Sequence, residues 1–170
     1  MRETFKTLGE LARDNGTYPE AAFVFVRDGL EHASRRIHGP ITPAQFVIAQ
    51  YLSAHKVDLD EVMERRERGV LDPLVAAAID QSGEIQSLNR NVSGQDLCWG
   101  LRDFALQRWG KLAGLVLRRW RIGCTEDFGS IVFAMVKHGF MQTESHDSID
   151  DFKAVYSFEE ALDNADALNQ

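Results

Sequence analysis

Leu97–Arg121 reads LCWGLRDFALQRWGKLAGLVLRRWR and holds every tryptophan in the chain, Trp99, Trp109 and Trp120. Its cations are Arg102, Arg108, Lys111, Arg118, Arg119 and Arg121 against one acid, Asp103, in a chain whose formal net charge is −7. The +5 carried here leaves −12 for the remainder. Such a stretch is either an aromatic platform for nucleic acid or the packed centre of a helical core. Leu97, Leu101, Phe104 and Ala105 recur at helical spacing, which makes an apolar stripe. Lys111, Gly114, Arg118 and Arg121 recur at i, i+3, i+7 and i+10 on the face read as opposite the apolar one. Burying an aromatic side chain of about 150–250 Å² at ~25 cal/mol per Å² contributes at most roughly 4–6 kcal/mol. The tryptophans, with Leu101, Phe104, Leu112 and Val116, therefore read as core scaffold, and the arginines remain to be accounted for.

Outward from this island the chain repeats one grammar of helix starts. A side-chain oxygen at the N-cap accepts from the backbone N–H three residues on, and an acid or amide there bonds back. Thr17–Glu20, Thr42–Gln45, Asp58–Glu61, Ser93–Asp96 and Ser157–Glu160 fit that spacing, with looser versions at Asp72-Pro73 and Thr125. Pro19, Pro43 and Pro73 fall in first turns, where a missing N–H costs little. Gly16, Gly39, Gly69 and Gly139 each follow a periodic segment, as left-handed C-caps do. Starts and stops together predict helices near 3–14, 19–38, 43–55, 59–68, 73–81, 94–109, 111–121, 126–138 and 158–166. Phe23, Val26, Leu30, Ala33 and Ile37 form one stripe, and GSIVFAMVKHGF (129–140) is apolar nearly all round, as a central helix is. Two stretches invite strands: Glu84–Val92, short enough to be irregular instead, and Phe140–Tyr156, a β-hairpin with a short helix as its alternative.

The expected class is mainly α: a compact multi-helix domain with a small β-hairpin, in a winged helix-turn-helix-like layout, near 140–156. The 170 residues suit a single domain over 1–170, divisible into an N-terminal helical half at 1–90 and a core at 92–160. A 44% hydrophobic and 26% charged composition favours neither disorder nor a membrane class. MRETFKTLGELARDNG lacks the apolar centre of a secretory signal, and no apolar run reaches the roughly 18 residues of a span. A soluble, cytoplasmic protein is expected. Its two cysteines, Cys98 and Cys124, read as small buried fillers, not a disulfide framework.

A set of short motifs runs in order through the second half: VSGQDL at 92–97, GLRDFA at 100–105, WG at 109–110, LA at 112–113, VL at 116–117, Trp120, TEDFG at 125–129, IVF at 131–133, DF at 151–152 and VY at 155–156. YPEAAF at 18–23 and FVRDGL at 25–30 precede it. Together they resemble a conserved protein family of planctomycete and verrucomicrobial bacteria, densest over 92–160 and without a match over about 40–90. Arg121 stands where that pattern has glycine before Ile122, and Gln142 where it has lysine. The family carries no catalytic assignment, so the resemblance implies none here.

The order of elements over 94–156 is similar to a winged helix-turn-helix, whose third helix enters the major groove. The third helix here offers Glu126, Asp127, Ser130, Lys137 and His138 as its polar positions, with no arginine or asparagine to read base edges. It reads as an interior helix, and the basic groups lie on the helix before it. Counter-charges for them are sought in Asp96, Asp103, Glu126 or Asp127.

Other chemistries leave no signature. His38 and His138 precede glycines at helix ends, where an imidazolium suits the C-terminal dipole. The chain has no HExxH, HxxxH or CxxC, so no metal site is expected. Glu144–Asp151 lacks EF-hand spacing and reads as a solvated turn. Asp127-Phe-Gly129 matches the kinase tripeptide in letters alone, without a glycine-rich loop or HRD. No catalytic, cofactor-binding or metal residues are expected, and a pocket enzyme built between 40–90 and 92–156 ranks third. The leading expectation is a non-enzymatic helical adaptor that binds another protein. The alternative is a winged-helix-like nucleic-acid-binding protein whose binding face is Arg108, Lys111, Arg118, Arg119 and Arg121; overall acidity and the apolar third helix disfavour it. No membrane partner is expected.

Overall fold

Four of the five anticipated caps close as chemistry requires, among them Ser157, whose Oγ accepts from the Glu160 N–H at 3.4 Å. Thr42 Oγ1 accepts from the Gln45 N–H at 3.2 Å while Gln45 Oε1 accepts from the Thr42 N–H at 3.0 Å. Asp58 Oδ1 accepts from the Glu61 N–H at 2.8 Å, and Ser93 Oγ from the Asp96 N–H at 3.1 Å. Each cap satisfies one of the N–H groups that a helix start leaves orphaned. Thr17 is the exception: its N–H donates to Asn15 Oδ1, and the next helix begins after Pro19. Thr7, outside the anticipated set, caps the first helix by accepting from the Glu10 N–H.

The computed structural model describes residues 7–83, 88–144 and 146–164. Among these are eight α-helices and no strand. They are α1 (Leu8–Asn15), α2 (Glu20–His38), α3 (Pro43–His55), α4 (Leu59–Glu67), α5 (Pro73–Ser82), α6 (Gly94–Trp109), α7 (Ala113–Arg119) and α8 (Thr125–Lys137). Short 3-10 turns occupy Gly110–Leu112 and Ile149–Phe152, and a π-helical turn occupies Glu159–Asp163. The mainly α expectation is met. Residues 3–6 and 165–166 of the anticipated terminal helices, and 84–87 of the strand expected at Glu84–Val92, lie outside the described residues; Leu88–Val92 is not a strand.

The hairpin and the winged helix-turn-helix layout are not found. Over 140–156, where Ser145 lies outside the described residues, carboxylates take the backbone donors that a strand ladder needs. Asp147 Oδ2 accepts from the Glu144 N–H at 2.7 Å, and Asp151 Oδ2 from the Ser148 N–H at 3.0 Å. Ser148 and Asp151 form a capping box that opens the Ile149–Phe152 turn and delivers Phe152 to the core.

The chain divides into two units, one of residues 1–33 and 92–170, the other of 34–91. The first is built on Phe23, Phe25, Leu101, Leu117, Ile122, Phe128, Ile131 and Met135, all fully buried. In it α2 and α6 approach through small residues: a Cβ on Gly100 would collide with Ala33, and one on Gly29 with Leu101. Such contacts bring helix axes close. α8 is the interior helix anticipated, with Thr125, Phe128, Gly129, Ile131, Val132 and Met135 buried.

The second unit has its own core of Ile48, Val57, Val62, Val75, Ala78, Ile79 and Leu88. Arg90 caps the C-terminus of α2, donating to Gly39 O at 2.6 Å, and the His38 ring nitrogen bonds Asn91 O at 2.9 Å. Among the described residues no helix is long and apolar enough to cross a membrane.

Candidate functional site

The island resolves into two helices joined by a turn that changes register. α6 ends at Trp109, Gly110 takes φ +54, a 3-10 turn follows, and α7 runs for seven residues. Ala113, Gly114 and Leu117 are buried. On a helix of about 100° per residue, Leu115 lies nearly opposite that buried side, with Arg118 roughly 60° and Arg119 roughly 40° to either side. Leu115 is 64% exposed and Leu112 60% exposed, so the core role read for Leu112 is corrected. The 3-10 turn breaks the register on which that reading rested.

Trp109 and Trp120 do serve the core. Their rings meet edge to face at 5.4 Å, and each packs on the fully buried Phe25, at 5.3 and 5.9 Å. Trp99 does not: it is 44% exposed, lying 4.7 Å from the Tyr156 ring and 5.9 Å from the Arg102 guanidinium. Tyr156 in turn donates to Cys98 O at 2.7 Å.

The five basic residues have different fates. Arg118 forms a two-pronged pair with Asp163, Nη1 to Oδ1 at 3.0 Å and Nη2 to Oδ2 at 2.7 Å. This pair holds the Asp163 carboxyl below the usual aspartate range. The counter-charge comes from none of the four acids singled out in the sequence. Asp103 pairs with Arg102 at 3.0 Å, and Glu126 and Asp127 bind elsewhere. Asp163 also fills the space above Gly114, where a Cβ would strike its carboxylate. The side of α7 expected to be open is therefore covered by the chain's own C-terminal turn. Arg108 lies over the Phe104 and Trp109 rings at 5.3 and 5.2 Å, a contact worth about 0.5–1 kcal/mol when exposed. Lys111 is exposed at the foot of α7. Arg119 and Arg121 are exposed and make no ion pair or hydrogen bond among the described residues. Arg121 lies beyond α7 in a left-handed turn, φ +64, so it does not continue that helix's face.

A second cluster sits at the start of α8. The Tyr18 hydroxyl donates to Asp127 Oδ1 at 2.5 Å, while Asp127 Oδ2 accepts from the Gly123 N–H, the Cys124 N–H and the Cys124 thiol at 2.8, 3.2 and 3.3 Å. Partial burial, aided by carboxylates, pushes the Cys124 thiol up to about 11, and burial with the Asp127 hydrogen bond pushes the Tyr18 hydroxyl well above its usual range. Both groups keep their protons at neutral pH and act as donors that fix the turn. Cys98 is buried as read, its thiol pushed up to about 12 by desolvation, but Cys124 is exposed. Next to this cluster the Thr125 hydroxyl donates to Phe152 O at 2.7 Å, and Glu126 accepts from the Ala154 N–H at 3.0 Å. These bonds pin the 152–155 loop to α8.

Among the described residues no group of three or more His, Cys, Asp or Glu side chains is placed to hold a metal ion. The remaining exposed large apolar residues are Ile37, Ile41, Phe46, Val70, Leu74 and Ile149. Ile41 and Phe46 flank the Thr42 cap at N′ and N4, the positions of a hydrophobic staple. Leu112 and Leu115 have no such local duty. The signal that could have exposed them is the buried trio Ala113, Gly114 and Leu117, which fixes the inward side and leaves both leucines off it.

In comparisons with known proteins, no family model, curated protein or solved structure matches this chain.

Proposed function

We propose that this chain is a non-enzymatic helical module that binds another protein through the outward side of α7. One observation carries the reading: Leu115 on α7 and Leu112 in the turn before it are large apolar side chains left exposed, and Arg118 and Arg119 on α7 lie to either side of Leu115. Covering the exposed parts of two leucines contributes roughly 2–4 kcal/mol, and the flanking cations supply orientation. Exposed large apolar side chains beside charged ones are the composition from which interaction patches are built. The resemblance of 92–160 to a bacterial family without a catalytic assignment fits this reading.

Nucleic-acid binding through Arg108, Lys111, Arg118, Arg119 and Arg121 is the alternative. Arg119 and Arg121, without ion pairs among the described residues, favour it. Two leucines where phosphates approach, an Arg118 already paired to Asp163 and a net charge of −7 oppose it.

The test is capture from cell extract with tagged wild type, Leu115→Ser and, as a surface control in the other unit, Leu74→Ser. A protein retained by wild type and Leu74→Ser but lost from Leu115→Ser is expected. Recovery of no partner while the purified chain turns over a metabolite, or retention of DNA or RNA at roughly 50 mM salt, overturns the reading.

A further inference from the structure

Beyond Lys153 the chain crosses back over α6, α7 and α8 as a strap fastened at both ends. At its root Ala154 takes φ +47, a left-handed conformation that a residue with a Cβ disfavours. It is held there by its own N–H on Glu126 Oε1 at 3.0 Å and by the Val155 N–H on Thr125 Oγ1 at 3.2 Å. At its tip Asp163 meets Arg118 through both carboxylate oxygens, in a pair whose side chains are 44% (Arg118) and 34% (Asp163) exposed. Between root and tip Phe158, Ala161 and Leu162 are buried, the last two on the π-helical turn, a rare geometry found most often at functional positions.

The surface under the tip is shaped for what it holds. A side chain at Gly114 would strike the Asp163 carboxylate, the two Arg118 nitrogens take its two oxygens, and the Arg102 Nε–H donates to Ala161 O at 2.9 Å. We propose that Ala154–Asp163 is a detachable strap, which opens as one unit and bares on α6 and α7 a recess for a short linear peptide segment with small and apolar residues followed by a carboxylate. Arg118 takes the carboxylate over Gly114, Arg102 takes the backbone carbonyl two residues before it, and the chain's own Ala161-Leu162-Asp163 is the resident occupant. A strained root and a solvent-exposed tip place the strap at the low-stability end of its unit. Because it is tethered, the strap competes at an effective concentration of about millimolar, so an outside segment enters only when the strap is loosened. The recess uses Arg102, Gly114 and Arg118, not Leu115, so it stands or falls apart from the surface proposed above.

Hydrogen exchange on the full chain, read residue by residue by NMR, measures the opening. The Ala154, Val155, Ala161 and Asn164 amides, all hydrogen-bonded, should exchange through one shared opening, at least tenfold more often than the amides of α6 and α8. Asp163→Asn should raise all four by about threefold and leave α6 and α8 unchanged. Protection of the four equal to that of α8, or a rise confined to Asn164, overturns the strap. The recess is probed with a fluorescent peptide of the chain's own residues 157–163, SFEEALD, added to the full chain carrying Leu162→Ala and Asp163→Asn. Saturable binding is expected there, at least tenfold tighter than to wild type, and weaker by about tenfold with Arg118→Gln added or with asparagine ending the peptide. No binding at millimolar peptide to the loosened variant, its helix content and tryptophan emission being those of wild type, or binding indifferent to Arg118, removes the recess.

Discussion

Tyr18 and Asp127, 109 positions apart, are joined by a hydrogen bond of 2.5 Å that ties the start of α2 to the start of α8. Tyr18 is buried and edges against Phe23, so its ring is held whether or not the hydroxyl is present. Tyr18→Phe removes only the donor to a carboxylate, a bond of the charged kind. A loss of about 1–2 kcal/mol is expected, read as a lower urea midpoint with unchanged slope. A midpoint equal to wild type would show that the bond contributes nothing net.

The Arg118–Asp163 pair makes stability depend on acidity. The Asp163 carboxyl is held below its ordinary value, and that of Glu126 likewise by backbone N–H groups including Ala154. A group with a depressed folded pKa contributes stability that is present above its unfolded pKa and lost as pH falls through the folded one. Stability should therefore decline from about pH 4 downward, and Asp163→Asn should flatten part of that decline. Because the pair is exposed, its share should shrink in high salt. Identical acid profiles for wild type and Asp163→Asn would remove Asp163 from the account.

Arg121 occupies the left-handed region at φ +64, which costs a residue with a Cβ roughly 1–2 kcal/mol. Glycine relieves that cost but adds about 0.4–1 kcal/mol of unfolded-state freedom. Arg121→Gly should leave the protein equally stable or gain up to about 1 kcal/mol, measured by thermal or urea unfolding. Arg121→Val should lose stability at the same position. A destabilising glycine would mean that the arginine side chain has a structural partner.

Cys124 is exposed yet its thiol is pushed up to about 11. A thiol held at about 11 leaves about a hundredfold less thiolate at neutral pH than an ordinary one, partly offset by the greater nucleophilicity of a more basic thiolate. Alkylation by iodoacetamide at pH 7.5 should run about tenfold slower than for a free thiol, and should rise steeply towards pH 11. Peptide mapping separates it from buried Cys98. Rapid labelling of Cys124 at pH 7 would contradict the desolvation that holds its thiol up.

The caps at Thr42, Asp58 and Ser93 were legible because each bond closes within three residues. The β-hairpin expectation fails at residues whose turn chemistry is visible in sequence: Asp147 and Asp151 turn their carboxylates back on the backbone, which sequence alone offers equally to a hairpin loop. The basic face departs from its expected form for another reason. Lys111, Gly114, Arg118 and Arg121 share a face only if one helix runs through all four, but α7 is flanked by a 3-10 turn and a left-handed residue. Asp163 as the partner of Arg118, 45 residues away, is a tertiary fact with no local signature. Trp99 failed similarly, since its packing on Tyr156 brings together residues 57 positions apart.

The placement of the tryptophans also decides what a spectrometer sees. All three belong to the unit of residues 1–33 and 92–170, while the unit of 34–91 has its own apolar core and only Tyr51 among the stronger chromophores. Intrinsic tryptophan emission is thus a private reporter of one core. Far-ultraviolet dichroism, which counts helices from both, reports on each, so coincident transitions by the two signals would mark a single cooperative melt and separated ones a stepwise loss of the tryptophan-free unit.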